Sequence, residues 1–345
     1  MLKRIFSLFA LSFLFMPTPS LAQVTIYTWP EYKFDAVFEA FEKETGIKMK
    51  HETFEDMGDM SEKIEAKGGQ GYDIVMLSVE YISKLQKAGY LMNLDHAKLP
   101  EIKNIDKKYL GLAYDPKNEI SLPFAFGTTT FVINTEKVKP EQFTKLEDLA
   151  KPEFKGRLLL PSEARAVLSI GLRIKGHSLN EKTEPKIKEA FEVVRDTVIP
   201  NVKLFDSDNS VELLENGEVD IAMLWNTMSY EITQKDAKFV DPTLAQGKPF
   251  WIENLVVMKN TSHADEVHKF LNFIMRPDIA AKLVEEFTFS TSNAEALKLL
   301  PAEIRENRIL FPDEAEVKRG EFEVDLGSSI RLYEKYWNML KGMVK

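Results

Sequence analysis

Phe250-Trp251-Ile252-Glu253-Asn254 leads directly into Leu255-Val256-Val257-Met258. Strand side chains alternate with a period of two, so Trp251 and Glu253 share one face, just ahead of a run apolar enough to be buried. An indole face attracts a cation through its quadrupole, and a carboxylate pairs with one directly. The pair therefore suits a site for a small cationic ligand. By itself the stretch is explained as well by an edge strand with a packed Trp and a solvated Glu. Its meaning depends on the chain around it.

On its N-terminal side, strands and helices alternate. Val24 to Trp29 is β-branched and aromatic and stops at Pro30, as a strand would. Phe34, Val37, Phe38 and Phe41 recur at helical spacing, and Gly46 closes that helix. Ile47 to Phe54 predicts a second strand, and Met57 to Ala66 a helix. Tyr72-Asp73-Ile74-Val75-Met76-Leu77 suits a strand buried on both faces, followed by a helix from Tyr81 to Ala88. This order predicts an α/β lobe with a parallel sheet, whose ligands lie beyond the C-terminal strand ends. Trp29, Tyr32 and Ser78 fall at such ends.

Ser121 to Asn134 contains two extended runs around Phe126-Gly127-Thr128, read as a crossing into a second lobe. There the pattern restarts. Arg157 to Leu160 is a short buried strand, and Pro161-Ser162-Glu163 opens a helix with Ser162 as its expected N-cap. Ile187 to Val198 reads as a helix, Val202 to Phe205 as a strand, and Asp206-Ser207-Asp208-Asn209 as a cap. Glu218 to Trp225 ends another strand. Glu163, Ser207 and Trp225 again lie at strand ends. Phe250 to Lys259 is the return crossing. Helices follow over Ala264 to Met275, Pro277 to Phe287 and Ser328 to Lys341, the last carrying Trp337 as ordinary packing. The expected organisation is two α/β lobes: residues 23–129 with 253–297, and 130–252 with 298–345. Two crossing strands form a hinge, and the ligand cleft lies between the lobes.

The first 22 residues stand apart. Met1-Leu2-Lys3-Arg4 is basic, Ile5 to Met16 is apolar, Pro17-Thr18-Pro19 breaks the run, and Ser20-Leu21-Ala22 is a small-x-small cleavage signal. This pattern is a secretory signal peptide, too short to span a membrane, with cleavage near Ala22. No cysteine occurs among the 345 residues, which excludes disulfides, a lipid-modified N-terminal Cys and thiolate metal sites. A soluble periplasmic protein is expected. Losing Lys3 and Arg4 with the leader takes the formal charge from −9 to −11, which argues against nucleic acid and modestly favours cationic ligands.

Enzyme signatures are missing. There is no G-x-S-x-G, and Gly68-Gly69-Gln70-Gly71 is a turn, not a phosphate-binding loop. His51, His96, His177, His263 and His268 are dispersed, the last two read as lying on a solvated helix face. No metal site, cofactor or catalytic residue is expected. Trp29, Trp225 and Trp251 are each ordinary singly, but topology places all three at one cleft. Aromatic faces there suit an aliphatic amine, with Glu253 and Glu163 available to its charged ends.

Tyr27-Thr28-Trp29-Pro30-Glu31-Tyr32, Glu44-Thr45-Gly46-Ile47-Lys48, Tyr72-Asp73-Ile74-Val75, Lys151-Pro152-Glu153-Phe154-Lys155-Gly156, Ser207-Asp208-Asn209, Gly217-Glu218-Val219, Leu224-Trp225-Asn226, Phe250-Trp251-Ile252-Glu253 and Asn272-Phe273 with Arg276-Pro277-Asp278 carry a colinear resemblance. Over its mature length the chain resembles the periplasmic spermidine/putrescine-binding proteins of bacterial polyamine ABC transporters. The resemblance implies a type II periplasmic binding protein fold, a polyamine ligand and an inner-membrane permease as partner; a monomer is the default for such proteins.

Carried over residue by residue, Trp29, Glu31 and Tyr32 match the family's first-lobe aromatic wall, and Trp225 and Trp251 its other ligand tryptophans. Glu253 and Glu163 stand at acidic positions, and Ser207 at a polar contact. Four positions depart. Glu80 replaces a Tyr, Ala166 a Glu, Phe289 a Tyr and Glu323 a Gln, so that Glu80 or Glu323 is expected to take over an amine contact from the Ala166 position. Two other readings fit the same cleft: a polyamine sensor docking on a membrane signalling receptor, and a binder of another small cationic solute. An exported hydrolase is disfavoured by the missing nucleophile.

Overall fold

The computed structural model describes residues 23–30 and 32–344. Residues 1–22, where a signal peptide is expected, and Glu31 lie outside the described residues. The first half runs β1 (Gln23–Thr28), α1 (Asp35–Thr45), β2 (Lys48–Thr53), α2 (Met57–Ala66), β3 (Ile74–Leu77) and α3 (Val79–Lys87). β4 (Leu122–Asn134) leads to β5 (Leu158–Leu160), α4 (Ala164–Ile174), α5 (Glu184–Val193), β6 (Val202–Phe205), α6 (Ser210–Glu215), β7 (Ile221–Trp225), α7 (Asn226–Lys235) and β8 (Phe239–Val240). β9 (Pro249–Val257) is followed by α8 (Ala264–Ile274), α9 (Pro277–Phe287), β10 (Ser290–Thr291), α10 (Ala294–Leu297), α11 (Ala302–Arg305), α12 (Glu314–Arg319), β11 (Glu321–Phe322) and α13 (Ile330–Lys341).

β4 joins the two halves. Residues 122–128 of β4 pair with β9, and residues 129–133 pair with β7. The strand order is β2-β1-β3-β9-β4-β7-β5-β6. β1 runs parallel to β2 and β3, and β5 parallel to β6 and β7. The two runs expected around Gly127 are therefore one continuous strand.

Period-two alternation sends successive side chains into different cores. Ile26, Ile74 and Met76 enter one core, while Tyr27, Val75 and Leu77 enter another on the opposite face. In the second half, Phe131, Leu158, Leu160 and Met223 enter one core, and Val132, Leu159 and Leu224 the other. Both half-sheets are thus covered on both faces, the arrangement that apolar parallel strands require. Each such side chain contributes roughly 1.5–3 kcal/mol. Along β9, Phe250 and Ile252 share a core with Leu255 and Val257, so the parity of the buried face switches between them. The register with β4 shifts there, between Pro123 and Ala125, as at a bulge.

Several local expectations are corrected. Glu163, not Ser162, is the N-cap residue of α4, and no side chain caps it. α5 ends at Val193 and widens into a π-type turn over Val194–Val198. His268 is buried, not solvated: its Nε2 accepts from the Asp95 N–H at 2.9 Å, and its Nδ1 lies 2.6 Å from the Ala264 carbonyl. Packing on the first core continues past residue 297, through Ile304, Phe311, Val317 and Phe322. The chain joins the second core from Leu326.

Candidate functional site

The parallel strands of each half end where a helix begins, and two of these helices meet. Ser78 and Glu80 follow β3 into the first turn of α3. Glu163 and Arg165 follow β5 into the first turn of α4. α3 packs in a first-half core and α4 in a second-half core. The Arg165 guanidinium nevertheless ion-pairs with Glu80. The C-terminal strand ends of the two halves therefore meet through this pair, on the side of the sheet where α/β proteins hold ligands.

The charges at this junction are closely set. The Arg165 side chain is only 4% exposed. Its Nε lies 3.6 Å from a Glu323 oxygen, and it donates to Asn180 Oδ1. That amide oxygen also accepts from the Val324 N–H at 2.9 Å, and Asn180 Nδ2 donates to the Phe322 carbonyl at 2.8 Å. Ser78 Oγ donates to the second Glu80 oxygen at 3.2 Å. Burial raises the Glu323 pKa, while Arg165 lowers it. Glu163 is exposed to water at the start of α4. The protein around it, and then the Glu323 carboxylate, push its pKa up to about 8.

An aromatic wall adjoins these acids. Trp29 Nε1 donates to Glu253 Oε1 at 3.3 Å, and the Trp29 ring is 4.6 Å from that of Phe54. Trp251 and Glu253 are the accessible positions of their segment, with Phe250 and Ile252 buried behind them, as alternation requires. The Trp251 indole lies directly over Gly127 on β4; a Cβ there would fall 2.0 Å from its Cζ2. Asn226 holds the same corner, its Oδ1 accepting from the Thr128 N–H at 3.3 Å and its Nδ2 donating to Ser290 Oγ at 2.9 Å. Trp225 ends β7 half-buried, opposite Thr129 of β4.

The remaining sequence candidates fall into two groups. Tyr32 and Phe289 are buried, with centroids 5.6 Å apart, and both contact Phe124. They back the first-half core. Ser207 Oγ accepts from the Ser162 N–H at 3.0 Å and ties the end of β6 to that of β5. Ala166 is buried in the second core. Sequence reading passed over Arg165, Asn180 and Asn226. Arg165 left a signal: it is the one charge in the first nine residues of the otherwise apolar or small Ala164–Leu172 run, and a charge inside a buried run needs a partner. Asn180 and Asn226 lie in polar or strand-end segments with no such contrast. Among the described residues no group of three or more His, Asp or Glu could hold a metal ion, and no helix is long and apolar enough to cross a membrane.

Comparison with known proteins agrees with this geometry. The family model for bacterial extracellular solute-binding proteins matches residues 36–312. The chain is 35% identical over 315 residues to the spermidine/putrescine-binding periplasmic protein of Escherichia coli (strain K12), covering 91% of this chain and 90% of the relative. It is 35% identical over 320 residues to spermidine/putrescine-binding periplasmic protein 1 of Haemophilus influenzae, covering 92% and 88%. The solved spermidine/putrescine ABC transporter substrate-binding protein PotD of Streptococcus pneumoniae superposes with a TM-score of 0.85 at 29% identity, over 94% of this chain and 100% of that one. The chain belongs to the bacterial extracellular solute-binding proteins and has their two-lobed, type II periplasmic binding protein fold.

Proposed function

We propose that this protein captures a polyamine of the spermidine or putrescine class in the cleft between its lobes and delivers it to an ABC permease. The observation that carries this reading is the Trp29 indole joined to the Glu253 carboxylate at 3.3 Å, beside the accessible Trp251 on the same face of β9. A carboxylate beside indole faces suits a small cation. The aromatic faces of Trp29, Trp225 and Trp251 suit the methylenes and ammonium groups of such a ligand. Glu253 and Glu163 are assigned to its charged ends, and Glu31 to the same wall by resemblance. The relatives named for spermidine and putrescine support the ligand class, and their names support a periplasmic location. The lobes are the two pairs of cores, divided within β4 and along β9, and the protein acts as a monomer.

The test is calorimetric titration of the chain from Gln23 onward, unfolded and refolded to remove bound ligand. The panel is putrescine, cadaverine, spermidine, norspermidine and spermine. Saturable one-to-one binding of one or more of these amines is expected. Heats of dilution alone across the panel would refute the proposed ligand class.

A further inference from the structure

We propose that Arg165 is a specificity-determining residue: it is a resident cation that occupies Glu80 and Glu323 and withdraws both carboxylates from the ligand. This rests on the polyamine reading of the cleft. From sequence, Glu80 or Glu323 was the expected site of a relocated amine contact. Both carboxylates instead have a partner within the chain.

The arrangement is built. Arg165 comes from the second half, and its side chain is almost fully buried. It reaches Glu80, on a helix of the first half, and approaches Glu323 within 3.6 Å. Glu323 is itself fixed, its N–H donating to the Phe250 carbonyl at 2.8 Å. Asn180 holds the guanidinium from the other side, and backbone bonds to Phe322 and Val324 fix Asn180. A planar, permanently charged guanidinium can satisfy two carboxylates at once, and its position in the first turn of α4 is unfavourable to a cation unless anions compensate. Glu80 and Glu323 provide that compensation. An ammonium arriving at this end of the cleft would have to displace a cation that cannot be neutralised and is tethered to its site.

Removing the arginine should therefore expose an additional ammonium site. Calorimetry would compare putrescine with spermidine on the wild type, on Arg165→Met, and on the Arg165→Met/Glu80→Gln double variant. Arg165→Met is expected to shift the ratio of affinities towards spermidine by at least ~10-fold, equivalent to about 1.4 kcal/mol, and the double variant to lose most of that shift. Where the methionine variant does not fold, Arg165→Lys provides the readout. Its ammonium lacks the fork needed to hold both carboxylates, and a shift in the same direction of at least ~3-fold is expected. An unchanged ratio in whichever variant folds would overturn the proposal. So would a uniform loss for both amines, which would make Arg165 a structural brace. A wild type that binds neither amine would instead remove the ligand class on which the proposal stands.

Discussion

Replacing Gly127 by alanine tests whether the Trp251 face is set by the hinge strand beneath it. The added Cβ would lie 2.0 Å from Trp251 Cζ2, 2.3 Å from Cη2 and 2.6 Å from Asn226 Oδ1. Carbon atoms pack favourably at about 3.5–4.0 Å, so the indole must retreat by roughly 1.5 Å or the strands must separate. The strands are held on both sides: Phe126 pairs with Ile252, Thr128 with Phe250, and Thr129 with Trp225. The ring therefore yields, and the Thr128 to Asn226 hydrogen bond is disturbed with it. Overpacking of this kind costs about 1–3 kcal/mol. Chemical denaturation should show that loss, and Trp251 fluorescence should shift. Trp251→Phe removes the fused ring that collides. The double variant should therefore be less destabilised than the two single changes added together, by ~0.5–3 kcal/mol. Simple additivity, or an alanine variant as stable as the wild type, would show that Trp251 does not rest on Gly127.

Two further perturbations concern charge. The protein around it, and then the Glu323 carboxylate, push the Glu163 pKa up to about 8 from its ordinary 4.5. A cation needs the ionised form, so amine affinity should rise with pH from about 6 to 8 by up to tenfold per unit, with protons released on binding. The raised folded pKa also means that this group's contribution to the ligand-free fold is complete below pH 4.5 and lost as pH rises through 8. Glu163→Gln should flatten both profiles; calorimetry in buffers of different ionisation heat and melting curves against pH would show it. In the second half, Lys248 and Asp241 are 9% and 4% exposed and 2.8 Å apart, and Asp241 also accepts from the Thr130 hydroxyl at 2.8 Å. Lys248→Met should destabilise by about 3–5 kcal/mol in urea, because it leaves a buried carboxylate without its cation. Adding Asp241→Asn should recover much of that loss.

The regular elements were legible because local signals agree with burial. Met57–Ala66 and Pro277–Phe287 match their predicted bounds: Asp56 accepts from the Asp59 N–H at one helix start, and Pro277 begins the other. Gly46 closes α1 with φ of 74°, where a side chain would be strained. β4 was read as two runs because Gly127 looks like a break. Its lack of a side chain serves Trp251, a residue 124 positions away, and no local pattern reports that contact. The same holds for His268. Its neighbours read as a helix face exposed to solvent, but the Asp95 N–H that it caps belongs to a loop far away in the chain.

The candidate site divides along the same line. Strand ends and alternation placed Trp29, Ser78, Glu163, Trp225, Trp251 and Glu253 without reference to long-range contacts. Which acids face a ligand and which face the chain is a different matter, because charge balance is settled in space. Glu80 and Arg165 are 85 positions apart, and Glu323 is a further 158 along. Taken singly, Glu80 and Glu323 read as two carboxylates gained for a cation. Taken with Arg165 they form an ion cluster, and one of the two negative charges is cancelled. The formal net charge of −9 is thus no guide to the charge the cleft offers. Acid positions in a binding cleft become a statement about the ligand only after the chain's own buried cations have been paired off, and here the one buried arginine in a run of small and apolar residues was the sign that such pairing was needed.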